Sequence, residues 1–148
     1  MRYAVLAEAL GEGSIATRAS AANRTEAIRL AGDLLVASGR TTDEYTDDMV
    51  QAVEAHGPYI VIAPGIALAH GRPSKLVLET GLSLVTLAEP VVFGHATNDP
   101  VRMVIGLAAF DHNSHIGLMS ELAQALSDVA TVNSLLNAVQ TEQVRAAL

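Results

Sequence analysis

The longest apolar run of the chain, Tyr59 to Ala69, is cut in the middle by Pro64-Gly65 and released at its end into His70-Gly71-Arg72-Pro73. The Pro-Gly pair stops any helix that enters it. The run also falls well short of the roughly 20 apolar residues that span a bilayer. Tyr59-Ile60-Val61-Ile62-Ala63 is short and β-branched, so it is expected to be a strand, and Ile66 to Ala69 a second short strand after the turn. A sheet therefore organises the chain, and polar residues gather where that second strand ends.

The flanking segments carry a different period. Asn23 with Glu26 predicts a capped helix start, and Ala27, Ile28, Leu30, Ala31, Leu34 and Leu35 recur at helical spacing up to Gly39. Thr41-Thr42-Asp43-Glu44 again sets a capping hydroxyl three residues before a carboxylate. Met49, Val50 and Val53 carry that helix to Gly57-Pro58. Two helices joined by a short glycine turn are thus expected to open the fold. Further strands are expected at Thr80 to Leu87, briefly at Val91 to Phe93 after Glu89-Pro90, and at Val101 to Ala109, the last covered on both faces. Ser114 is placed to cap a helix whose stripe is Ile116, Met119, Leu122, Ala123 and Leu126. Helical stretches follow from about Val132 to Val139 and after a cap at Thr141. Helices, then strands, then helices predict an α/β sandwich on a mixed sheet, one domain over residues 1–148.

Composition narrows the chemistry. Half of the residues are hydrophobic but only 3% are aromatic, so the core is expected to be aliphatic. Cysteine is absent, which removes disulfides, thiol nucleophiles and cysteine metal sites. A net charge of -7 without a basic run argues against a nucleic-acid backbone as partner. The N-terminus is not a convincing signal peptide, and a cytoplasmic protein is expected. Five histidines remain as candidates.

His70 follows an apolar strand. Gly71 lets a backbone approach a ligand and Arg72 offers a cation, a setting that suits attack on phosphorus. An ordinary polar loop residue is the alternative. His115 falls at the start of a helix, where unpaired N–H groups favour an anion; taken alone, it reads as a capping or loop residue. His112, three residues earlier, would complete a metal site with His115 and His70, but the spacing matches no metal motif and no metal is expected. His56 ends a helix, where a cation suits the dipole. His95 lies in a loop. Asp43, Glu44, Asp47 and Asp48 read as a solvated helix N-terminus. No dinucleotide fingerprint, phosphate-binding P-loop or nucleophile elbow is present.

The segment His56-Gly57-Pro58-Tyr59-Ile60-Val61-Ile62-Ala63-Pro64-Gly65-Ile66-Ala67-Leu68-Ala69-His70-Gly71-Arg72-Pro73 resembles the phosphoacceptor segment of enzyme IIA of the bacterial sugar phosphotransferase system. The branch is the mannitol/fructose type, and the ascorbate-type proteins match best. Thr80 to Leu87, Asn98-Asp99-Pro100-Val101 and Asp111-His112-Asn113-Ser114-His115 continue the likeness in order, from about Ala27 to the C-terminus. The resemblance implies a mixed, roughly five-stranded sheet flanked by helices. It implies that the histidine-containing phosphocarrier protein phosphorylates His70, and that His70 passes the group to a cysteine of enzyme IIB. Enzyme IIB serves the membrane enzyme IIC during uptake of a sugar or sugar acid such as ascorbate. His115 would then steady the phosphoryl group. No metal or organic cofactor is implied; a homodimer is a further option.

Two positions depart from the family pattern. Ala69 stands where proline usually precedes the active histidine. The upstream arginine of the mannitol branch has no counterpart in Ala52-Val53-Glu54-Ala55. Arg72 is the candidate to supply that charge, with His56 a lesser one. A regulatory protein, whose histidine phosphorylation state controls a partner, is the alternative function.

Overall fold

The computed structural model describes residues 2–148 except 112 and 114. The elements run α1 (Ala4–Ala9), β1 (Ile15–Ala19), α2 (Arg24–Ala37), α3 (Asp43–His56), β2 (Val61–Ala63), β3 (Ile66–His70), β4 (Gly81–Val91), β5 (Val101–Ala108), α4 (Ile116–Ser127), α5 (Val129–Asn137) and α6 (Thr141–Ala146). The five strands form one mixed sheet in the order β1-β4-β5-β3-β2. Pairs β1–β4 and β3–β5 are parallel, while β4–β5 and β2–β3 are antiparallel. The expected single-domain α/β sandwich is the observed architecture.

Alternation along the central strands sends side chains to two cores. Val85 and Val104 join Ile28, Ala31, Leu35 and Met49 of α2 and α3 on one face. Leu82, Leu84, Met103 and Ile105 meet Leu6, Leu118, Leu122 and Leu135 from α1, α4 and α5 on the other. With both faces covered, β5 is buried at every position but Arg102 and reads as a nearly unbroken apolar string. The core is mainly aliphatic as expected, but its two largest fully buried side chains are aromatic, Tyr45 and Phe93.

The start of α2 follows the sequence expectation. The Asn23 side chain accepts from the Glu26 N–H, and the Glu26 carboxylate accepts from the Ala22 N–H. At α3 the cap position is Thr42, whose hydroxyl makes no capping bond; Thr41 instead bridges to Val77. Gly32 lets α2 and α3 close up, because a Cβ there would overlap the Thr46 side chain.

Several expectations are corrected. The two helices do not open the fold, since α1 and β1 precede them. Val91 to Phe93 is not a separate strand: β4 runs through to Val91, with a register irregularity between Thr86 and Val91 that accommodates Pro90. The buried face of α4 is Leu118, Leu122 and Ala125, and Ile116 is exposed. Helix α5 begins at Val129, capped by Asp128. Thr141 is the first residue of α6; the cap is Gln140, whose N–H donates to the Gln143 side chain. Ser114 lies outside the described residues.

Candidate functional site

Strands β3 and β5 are parallel neighbours, so their C-terminal ends open at the same edge of the sheet. His70 is the last residue of β3 and pairs with Leu107 of β5. The chain leaving β5 reaches His115 at the cap position of α4. Ligand clefts in α/β sheets form outside such strand ends. Here the third wall is α3. Tyr45, Asp48, Ala52 and His56 follow one another at intervals of three or four residues, along one helix face.

The result is a cleft of about 590 Å³. It is lined by Tyr45, Asp48, Gln51 and His56 from α3, by Tyr59, His70, Gly71 and Arg72, and by Leu107 and His115 from the β5 side. All four residues singled out from the sequence, His70, His115, Arg72 and His56, reach this one cleft. His95 does not; its Nδ1 accepts from the N–H groups of Thr97 and Asn98 and shapes its own loop. His112 lies outside the described residues.

Both principal histidines are held through the same ring nitrogen. The His70 Nδ1 sits 2.9 Å from the Leu68 carbonyl oxygen, and the His115 Nδ1 sits 3.2 Å from that of Asp111. A carbonyl can only accept, so each Nδ1 carries the hydrogen and each Nε2 is the uncommitted nitrogen. The His70 ring also meets Tyr59 edge-on, with centroids 5.9 Å apart, and Tyr59 meets His56 edge-on at 6.4 Å. Arg72 is exposed at the cleft and enters no ion pair among the described residues.

The sequence reading missed two contributors. Tyr45 is buried beneath the loop that follows His70. Its hydroxyl donates to the Leu107 carbonyl at 2.8 Å and accepts from the Gly71 N–H at 2.9 Å. Burial is the main cause that raises the Tyr45 pKa above the ordinary phenol value, so the hydroxyl stays protonated at neutral pH. Asp48, read as part of a solvated acidic turn, is indeed exposed but also lines the cleft; Asp47 pairs with Arg29 at 3.0 Å on the surface. The spacing of Tyr45, Asp48, Ala52 and His56 on one helix face was the available signal.

Residues 8–148 match the family model described as phosphoenolpyruvate-dependent sugar phosphotransferase system, EIIA 2. The match begins upstream of Ala27 and takes in β1 and the last two residues of α1. The chain is 42% identical over 141 residues to the ascorbate-specific PTS system EIIA component of Escherichia coli strain K12, covering 93% of this chain and 90% of that relative. The solution structure of the mannitol-specific cryptic phosphotransferase enzyme IIA CmtB from Escherichia coli superposes with a TM-score of 0.85 at 31% identity, covering 99% of this chain and 97% of that one. The enzyme IIA of the complex of mannitol enzyme IIA with phosphorylated enzyme IIB from Escherichia coli gives a TM-score of 0.80 at 31% identity, covering 93% and 95%. With the family model spanning nearly the whole chain, the protein belongs to the EIIA 2 family of the phosphoenolpyruvate-dependent sugar phosphotransferase system.

Proposed function

We propose that this protein is a phosphocarrier in which the Nε2 of His70 takes a phosphoryl group from the histidine-containing phosphocarrier protein and yields it to a cysteine of an enzyme IIB. The observation that carries this reading is the 2.9 Å contact from the His70 Nδ1 to the Leu68 carbonyl. It fixes the tautomer and leaves the Nε2 lone pair for phosphorus. Imidazole in its neutral form attacks without a separate base near neutral pH. In the first step the Nε2–P bond forms as the donor's N–P bond breaks, and the electron pair returns to the donor ring. In the second, the partner's thiolate sulfur attacks phosphorus and Nε2 recovers its lone pair.

Phosphoryl transfer asks the protein mainly for position and charge. His115 opposes the incoming group from the start of α4. With Nδ1–H committed to Asp111, its Nε2 donates a hydrogen bond only as the imidazolium, which is also the form that offsets phosphoryl charge. Arg72 supplies the permanent cation, and His56 a lesser one. Tyr59, Phe110 and Ile116 are exposed apolar side chains at or next to cleft residues and provide a docking rim for the two protein partners. The relay needs no cofactor of its own. No helix among the described residues is long and apolar enough to cross a membrane, in keeping with a carrier that works in the cytoplasm and meets enzyme IIC through enzyme IIB. The cargo favoured by the ascorbate-specific relatives is a sugar acid of that kind.

Incubation with phosphoenolpyruvate, enzyme I and the phosphocarrier protein should add one acid-labile phosphoryl group of about 80 Da. His70→Ala should abolish the addition. Uptake of label by His70→Ala at the wild-type rate would sink the assignment.

A further inference from the structure

His70 is the end of β3, and its pairing with Leu107 is the last rung of the β3–β5 ladder. Beyond that rung the sheet no longer fixes the backbone. Gly71 N–H is the first donor past the ladder, and it goes to a side chain from another layer. The Tyr45 hydroxyl accepts from it at 2.9 Å and passes its own hydrogen to the Leu107 carbonyl at 2.8 Å. The phenol therefore ties the residue after His70 to the residue paired with His70.

The fit is close enough to be specific. The Tyr45 ring is almost fully buried, and a Cβ at Gly71 would lie 3.1 Å from its Cε1. Gly71 thus lets the ring lie directly under the loop. A phenylalanine would fill the same volume but leave the Gly71 N–H and the Leu107 carbonyl unbridged. Nothing in the group-transfer chemistry uses this hydroxyl, and the hydrophobic packing does not need it.

We propose that Tyr45 is a positioning residue for phosphoryl transfer, using its hydroxyl as a side-chain rung that holds the His70–Gly71 backbone, and with it the His70 ring, in the reactive orientation. The proposal rests on His70 being the phosphoryl acceptor. The ring's own hydrogen bond, to Leu68 O, lies upstream on the same strand. The Tyr45 rung restrains the downstream side. Loss of either lets the ring and Nε2 wander from the line of attack, and small misplacements of a reacting atom are costly in rate.

The test compares wild type, Tyr45→Phe, Gly71→Ala and His70→Ala with phosphorylated carrier protein as donor, alongside long-range 1H–15N spectra of the imidazoles. For Tyr45→Phe the maximal transfer rate should fall about tenfold while the donor concentration for half-saturation stays unchanged. The His70 spectrum should lose its pure Nδ1–H signature, and the Gly71 amide should exchange faster with solvent. Gly71→Ala, which pushes the ring from below the loop, should reproduce the rate loss with the hydroxyl still present. A wild-type rate and His70 spectrum in Tyr45→Phe would overturn the proposal. So would a rise in half-saturation at an unchanged maximal rate, which would make Tyr45 a docking element. Labelling of His70→Ala at the wild-type rate would instead remove the acceptor assignment beneath it.

Discussion

Gly106 faces Ser83 across the β4–β5 ladder, and a Cβ on Gly106 would fall inside the van der Waals envelope of the Ser83 hydroxyl. That hydroxyl is fully buried and donates to the Ala31 carbonyl of α2 at 2.7 Å. The pair lets α2 lie close against the sheet, and α2 in turn seats α3, the third wall of the cleft. Gly106→Ala should destabilise the fold by about 1–3 kcal/mol through overpacking, read as a lower midpoint in urea at an unchanged slope. A midpoint within error of wild type would show that the helix can retreat freely.

His115→Ala should leave His70 able to take up a phosphoryl group but slow the transfer about a hundred- to a thousandfold, the usual scale for losing one electrostatic stabiliser. Rapid-quench measurement of single-turnover phosphorylation, with intact-mass confirmation of the product, reads both quantities. An unchanged rate would leave His115 without a part in the transfer.

The position of His70 was legible because chain punctuation marked it. The Pro64-Gly65 break and the Gly71-Arg72-Pro73 exit fix where β3 begins and ends, and local capping chemistry fixed the start of α2. What was not legible depends on distant partners. Strand β1 is short, has polar Thr17 and Arg18 in its middle, and becomes a strand by parallel pairing with β4 some seventy residues on. The face of α4 was misjudged because apolar residues surround the helix: Ile116 and Leu118 both look like core, and only the packing against α1 and β4–β5 selects Leu118. Tyr45 escaped notice for a related reason. A tyrosine in a helical stripe reads as packing, and its hydroxyl gains meaning only when β3 and β5 arrive above it.

The loop before β5 should be a stability element without influence on transfer. The Asp99 carboxylate accepts from the N–H groups of Phe93, Gly94 and His95, at 3.0, 2.7 and 3.0 Å. This cluster sits beside the start of β3, where the Gly65 N–H donates to the Asn98 carbonyl, at the far end of the strand from His70. Asp99→Ala should cost about 1–3 kcal/mol of stability in thermal or urea unfolding, since three donors lose their acceptor. The phosphoryl-transfer rate of the folded protein should be that of wild type. A selective loss of rate would tie this loop to the cleft.

Asp128 should make the fold acid-sensitive. The Thr131 hydroxyl is the first cause that holds its pKa below the usual carboxylate value, with the Thr131 and Ala130 N–H groups and Arg2 acting in the same direction against a partial desolvation. A carboxylate whose folded pKa is depressed contributes stability that is present above its unfolded pKa, near 3.8, and is lost as pH falls through the folded value. The midpoint difference between wild type and Asp128→Ala should therefore hold steady from neutral pH down to about 5 and shrink steadily below 3.8. A difference independent of pH would mean that the side chain acts through packing.

The Leu68 carbonyl that orients the His70 ring belongs to the peptide group, not to any side chain. Which ring nitrogen of His70 is left uncommitted is therefore encoded in main-chain geometry, and a scan of every side chain around the cleft would pass over the contact that decides it. Reaching it takes chemistry on the chain itself, such as an ester in place of the Leu68–Ala69 amide, whose weaker carbonyl would loosen the ring while altering no side chain.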